Sequence, residues 1–222
     1  AARKLVHAGM GLFALALPFL TWWQAAVCAL AAFCHNWLLL PRIIGHRMSS
    51  ARSDASDQGV LLYPIVVGAL ILVFFRDMTA AAVGWGFLAF GDAAAGVAGM
   101  KWGRRALPWN GGKTWAGSLG GFLGASAGGT LACLAFVLGR GATGDDTVFP
   151  AGVLVGIIVA AAGYALVEGA PLAVDDNLLA PVLAAIVFHS FQTGGQTGSD
   201  TVASWAAGPL VVLLAVNAFC AL

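Results

Sequence analysis

Apolar runs of about the length needed to cross a bilayer, roughly 20 residues, follow one another along most of the chain. They fall near 5–20, 22–40, 59–75, 79–100, 114–138, 150–169, 178–192 and 203–222. Each predicts a membrane helix, so the expected fold is all-α: a polytopic integral membrane protein with about eight transmembrane helices, or seven. The run at 178–192 is short and contains Pro181, which predicts a tilted, broken or partly re-entrant segment. After Thr114 small residues repeat at helical spacing, with Gly117, Gly121, Ala125 and Gly129 on one line and Gly120, Gly124 and Gly128 beside it. Small residues four apart let membrane helices approach closely. This helix is therefore expected to be the central packing element, holding the segment before it rigidly. The whole chain, 1–222, reads as one transmembrane domain with loops at 41–58, 100–113 and 170–177 on a common face.

Composition removes the soluble alternatives. Of 222 residues, 60% are hydrophobic and 9% charged, and the mean hydropathy is +0.88. A net charge of +1 with no basic run interleaved with aromatics gives no reason to expect a nucleic-acid partner. Cys28, Cys34, Cys133 and Cys220 lie in apolar stretches without the paired spacing of a zinc site or redox motif, and read as packing residues. The chain starts at Ala1 and its last apolar run reaches Leu222, so a fragment or a processed form is expected. Arg3 and Lys4 ahead of an apolar run look like a signal-peptide start, but Pro18, Trp22 and Trp23 stand where a cleavage site would be, and a retained helix is the better reading.

The distribution of cations sets the orientation. With a cytoplasmic amino terminus, Arg3, Lys4, Arg42, Arg47, Arg52, Lys101, Arg104, Arg105 and Lys113 fall inside and only Arg76 and Arg140 outside, as the positive-inside rule requires. Both termini and all three polar loops are then expected on the cytoplasmic face, or the equivalent face of an organelle. That compartment holds nucleotides.

Most of the chemistry is concentrated between Gly91 and Gly121, GDAAAGVAGMKWGRRALPWNGGKTWAGSLGG. Asp92 lies inside an apolar segment, where an ionisable group is costly and marks a functional site by default. Lys101, Arg104, Arg105, Asn110 and Lys113 follow, and clustered cations among glycine amides suit phosphate oxygens. The plainer alternative is that these cations only set topology. The Gly112-Lys113-Thr114 triplet is not a Walker A loop, because Leu107 stands where the first glycine of that motif belongs and the flanks are membrane-like. Further on, Glu168 precedes Asp175, Asp176 and Asn177 in VEGAPLAVDDNLLAP. Carboxylates with an amide oxygen suit Mg2+ or another divalent cation, which uses one or two carboxylates together with substrate phosphates. The alternative there is an ordinary loop in which Asn177 or Asp176 caps the next helix. The four histidines show no metal-ligand spacing with one another, and His35 and His189 read as helix-packing residues.

Taken together, RKLVH at 3–7, LLYP at 61–64, the 91–121 stretch and VEGAPLAVDDNLLAP at 167–181 resemble the phytol kinase, farnesol kinase and dolichol kinase family over most of the chain. Gly91-Asp92, Lys113-Thr114 with Gly117-Ser118, and Glu168 with Asp175-Asp176-Asn177 match that family's pattern. Gly99-Met100-Lys101-Trp102-Gly103 departs from it, since position 100 carries no charge. The resemblance implies a membrane-embedded kinase that transfers the γ-phosphate of CTP, or a related nucleoside triphosphate, to the hydroxyl of a long isoprenoid alcohol such as phytol, farnesol, geranylgeraniol or dolichol. It implies catalytic roles for Asp92, Lys113, Glu168 and Asp176, and nucleotide contacts from Arg3, Lys4, His7, Lys101, Arg104, Arg105, Asn110, Lys113, Thr114 and Ser118. Asp92, Asp175, Asp176 and Asn177 would hold the metal, and Glu168 would be either a metal ligand or the base. The expected partners are the nucleotide, the lipid alcohol and the bilayer, with the oligomeric state open. Lys113-Thr114-Trp115 with Gly117 also resembles the phosphatidate cytidylyltransferases, but their acidic, serine-containing carboxyl-terminal signature does not occur here. A transporter or non-catalytic membrane scaffold is the third alternative.

Overall fold

The helix that follows Thr114 sets the architecture, because its glycines let two neighbours approach to backbone contact. The computed structural model describes residues 9–39, 42, 54–139, 151–172 and 174–194. A 3-10 segment, Leu12–Phe19, leads into α1, Trp22–Cys34, which continues as a π-turn over His35–Leu39. Next come α2, Asp54–Val73, then α3, Met78–Gly86, which runs through a π-turn, Phe87–Gly91, into α4, Asp92–Trp102. A short hairpin, β1 (Ala106–Leu107) and β2 (Asn110–Thr114), precedes α5, Trp115–Gly139. The described chain closes with α6, Ala151–Gly169, and α7, Asp176–Gly194.

Both small-residue lines of α5 face the continuous helix 78–102. A methyl group on Gly86 would lie 2.6 Å from the Gly128 carbonyl oxygen, and one on Gly120 would lie 2.5 Å from the Ala98 methyl. At Gly124 it would run into the Phe90 carbonyl. Backbone meets backbone there, and only glycine leaves the room. The central packing role expected of this helix is therefore observed, with α3, α4 and α6 all packed against it. The core is built from residues such as Val66, Leu70, Val83, Phe87, Ala125, Tyr164, Ala185 and Phe188. Large apolar side chains, among them Leu119, Leu123, Leu138 and Leu166, are exposed on the outside, where lipid rather than water is the fitting solvent.

Three helices are long and apolar enough to cross a membrane: Met78–Trp102, Trp115–Gly139 and Gly152–Gly169. Gly9–Phe19 and Val60–Val73 are shorter apolar helices. Eight spans are thus not what the described residues display, and the expected run at 203–222 lies outside them. Two further expectations change. The segment around Pro181 is one unbroken helix, with Pro181 buried inside it. The fold is also not purely α. Ala106 pairs with Thr114 and Leu107 with Asn110 in an antiparallel register with an irregularity between them, and the chain turns at 108–109.

Candidate functional site

The hairpin acts as a bracket across the end of α6. Trp109 donates its indole N–H to the Gly169 carbonyl at 3.1 Å, and the Asn110 amide donates to the carbonyls of Gly169 and Ala170 at 3.3 and 3.4 Å. The last carbonyls of a helix lack partners of their own, so these bonds satisfy α6 and fix the hairpin in the same step. The Asn110 carbonyl oxygen accepts from the Gly112 N–H at 3.2 Å, shaping the bend into β2. Thr114 then caps α5, its hydroxyl accepting from the Gly117 N–H at 3.1 Å. Lys113 is held between these two anchors.

Its ammonium reaches 2.6 Å from Asp176 Oδ2 and 3.4 Å from Glu168 Oε1. Glu168 stands at the last turn of α6, where the helix macrodipole disfavours negative charge, whereas Asp176 begins α7, where it is favoured. Glu168 is nine-tenths buried, and its second oxygen, Oε2, has no hydrogen-bond partner. That oxygen fits against Gly121, where a methyl group would come within 2.9 Å of it. A buried carboxylate at the wrong helix end with an unpartnered oxygen is costly. Lys113 offsets part of that cost. Burial lowers the affinity of Lys113 for its proton, but the charges of Glu168 and Asp176 outweigh burial and hold its pKa above the usual lysine range.

Asp92, at the start of α4, lies within electrostatic reach of Glu168, Tyr63 and Tyr164. The π-turn immediately before it sets the direction of this carboxylate. Gly91 lets the Tyr164 ring pass closely, since a methyl there would lie 2.6 Å from Tyr164 Cε1. Tyr63 is held by the Trp85 indole, which donates to its hydroxyl at 2.9 Å. These two are the only tyrosines in the sequence, and both are buried around the acids. Sequence reasoning assigned them no role. Their scarcity in so apolar a chain was the available signal.

The remaining expected residues divide into three groups. Lys101, Arg104 and Arg105 are exposed before and at the foot of the hairpin, with the Lys101 ammonium 4.9 Å from the Trp102 ring centre. Ser118 is half-buried one turn into α5, close to Gly169. Asp175 caps α7, its carboxylate accepting from the Asn177 N–H at 2.9 Å and the Asn177 amide at 3.0 Å. The cap is thus neither Asn177 nor Asp176, the two considered from sequence. Among the described residues no group of three His, Cys, Asp or Glu side chains is gathered to hold a metal ion. The acids that come together are Glu168 and Asp176, bridged by Lys113. Arg3, Lys4 and His7 lie outside the described residues.

A second polar contact sits at the far ends of the helices. His189 Nδ1 is 2.7 Å from Asp77 Oδ2, and Asp77 also caps α3 through the Ala80 N–H. From Asp176 to His189 is about 20 Å along α7 at 1.5 Å per residue. His189 is thus a packing and clamping residue, remote from Lys113.

Two curated plant proteins align with nearly all of this sequence. A probable chloroplastic phytol kinase 2 of Glycine max is 29% identical over 201 residues, covering 88% of this chain and 67% of that protein. A probable chloroplastic phytol kinase of Zea mays is 26% identical over 187 residues, 83% of this chain and 59% of its own length. The chain is a relative of the phytol kinases. It spans about two thirds or less of the length of these two relatives. No family model matches the sequence, and no solved structure matches it. The phytol kinase likeness therefore stands on whole-chain similarity together with the motifs around Asp92, Lys113 and Glu168.

Proposed function

We propose that this chain is a membrane kinase that transfers the γ-phosphate of CTP, or of a related nucleoside triphosphate, to the hydroxyl of a long isoprenoid alcohol, with phytol the first candidate. The observation that carries this reading is Lys113 fixed between two acids, Glu168 and Asp176, in a hairpin whose base presents further cations. Phosphoryl transfer asks a protein for positioning and charge stabilisation rather than covalent chemistry. These groups supply both. The phytol kinase relatives support the kinase class and the lipid alcohol.

In the reaction the alcohol oxygen bonds to the γ-phosphorus while the bond from that phosphorus to the β-phosphate bridging oxygen breaks. The hydroxyl proton leaves to a carboxylate of the Asp92, Glu168 and Asp176 set, and the nucleoside diphosphate departs with the bridging oxygen. Lys113 and the exposed Lys101, Arg104 and Arg105 neutralise phosphate charge, while Asn110, Thr114 and Ser118 keep the bracket and α5 in place. A divalent cation such as Mg2+ suits the donors present, because it characteristically takes one or two carboxylates plus phosphate oxygens and Glu168 Oε2 is buried without a partner. Glu168 and Asp176 would hold it, with Asp92 adding charge nearby. When bound it would offset the negative charge on the β- and γ-phosphates. The lipid tail lies among the helices, and the site faces the compartment that supplies nucleotide.

The test incubates purified protein with nucleotide labelled at the γ-phosphate and a series of isoprenoid alcohols. Labelled lipid monophosphate together with CDP is expected, and Asp92→Asn should abolish it while the protein stays folded. Release of pyrophosphate with formation of a CDP-lipid from phosphatidate would replace the kinase reading by a cytidylyltransferase one. Absence of both products, with metal and several alcohols supplied, would refute both.

A further inference from the structure

Lys113 occupies the space between two acids that a divalent cation would need. Its ammonium lies 2.6 Å from Asp176 and 3.4 Å from Glu168, and a point charge with three donors on a flexible stem can leave that position without moving the backbone. The backbone itself is fixed, by the Trp109 and Asn110 bonds to α6 on one side and the Thr114 cap on the other. The Lys113 side chain is still 35% exposed, so a route to the outside exists. The deeper wall is Glu168, buried against Gly121 with Oε2 unpartnered. One carboxylate oxygen is thus bonded to the lysine while the other is held ready and unused.

We infer that Lys113 is a displaceable internal counter-ion, which excludes a divalent cation from Glu168 and Asp176 until a triphosphate draws the ammonium away. The inference rests on the reading of this site as nucleotide-binding, and it deepens that reading by giving the order of events. Two cations cannot share the gap between the same pair of carboxylates, so the lysine and the metal compete for it. Triphosphate removes the competition by offering the lysine denser negative charge a short swing away. The metal is then taken up only together with nucleotide. In its absence the acids stay neutralised, and no bare metal site faces the solvent.

The probe is Mn2+, whose free concentration is read by electron paramagnetic resonance with the full chain in lipid nanodiscs and no lipid alcohol present. Without nucleotide, the wild type is expected to bind Mn2+ weakly and Lys113→Met at least tenfold more tightly. Adding Glu168→Gln to Lys113→Met should remove that gain, which places the ion at the acids rather than elsewhere on the surface. A non-hydrolysable triphosphate should raise Mn2+ uptake of the wild type but add much less to the variant. Should Lys113→Met fold poorly, Lys113→Gln carries the same comparison. Wild type and variant binding Mn2+ equally without nucleotide would overturn the inference, as would a gain that survives Glu168→Gln. If lipid phosphate forms while the Mn2+ affinities are equal, the kinase reading stands and this one falls. If the variant gains Mn2+ but triphosphate changes nothing in the wild type and no lipid phosphate forms, the lysine still competes with metal while the nucleotide part fails.

Discussion

Replacing Gly121 by alanine should separate stability from activity. The new methyl group would stand 2.9 Å from Glu168 Oε2 and 3.3 Å from the Ala95 methyl. Ordinary contact needs roughly 3.5 Å, so the carboxylate oxygen must retreat by about 0.6 Å. It is the free end of a side chain, and it can do so without disturbing the helices. Alanine is worth up to about 1 kcal/mol over glycine inside a helix, which offsets the crowding, and the melting temperature should stay near that of the wild type. The site is less forgiving. Glu168 already meets Lys113 at the long distance of 3.4 Å, and a catalytic arrangement displaced by 1 Å can lose about a hundredfold in rate. A shift of half that size predicts a loss of about tenfold, roughly 1.4 kcal/mol of transition-state stabilisation. The assay pairs lipid phosphate formation with thermal unfolding in the same detergent. Gly124→Ala supplies the contrast, because its methyl runs into the Phe90 carbonyl, which is backbone and cannot retreat. Overpacking of that kind costs about 1–3 kcal/mol, so this variant should lose stability. Full activity in Gly121→Ala, or destabilisation equal to that of Gly124→Ala, would refute the reasoning.

Lys113→Arg keeps the charge but replaces a compact ammonium by a planar fork in the gap between Glu168 and Asp176. It should lower kcat/KM by about tenfold or more, measured by the same assay, with membrane orientation unchanged by protease accessibility. His189→Ala removes the contact to Asp77 at the far end of α7. It should cost about 1 kcal/mol or less of stability in an unfolding titration and leave phosphoryl transfer as it was; a large loss of activity would connect the two ends. The pairing of Lys113 also has a defined pH dependence. Its pKa is raised on folding, so its stabilising contribution is complete below the ordinary lysine pKa and is lost only as pH rises through the higher folded value. Alkaline unfolding should therefore begin at lower pH for a variant with weaker pairing, such as Asp176→Asn.

The packing role of α5 was legible because glycines four apart have one physical use in an apolar helix, and Gly86, Phe90 and Ala98 are the neighbours that use it. The identity of the charged residues was legible for a similar reason, since Asp92 and Glu168 have no cheap structural purpose inside apolar sequence. Their partners were not. Lys113 and Asp176 are 63 positions apart, and only the fold decides that they meet. The hairpin was read as a loop because β1 has two residues and β2 contains Gly111 and Gly112, which carry no strand signal. Asn110 was assigned to nucleotide on its polarity alone. Its amide is instead directed at the end of α6, a demand created by tertiary structure. The Asp77–His189 contact spans 112 positions and had no local trace.

The π-turn at Phe87–Gly91 gives this part of the chain an unusual sensitivity to length. A π-turn holds one residue more than the α path it replaces, and each residue of a regular helix turns the chain by about 100°. Deleting a single residue such as Ala89 would let α3 and α4 join in regular hydrogen bonding, an improvement for the helix considered alone. The same deletion would rotate Asp92 by about 100° relative to α3 and carry it away from Glu168 and the two tyrosines. Loops accept gains and losses of a residue, but here the count is fixed by where one carboxylate must point, and a more regular helix would be a worse enzyme.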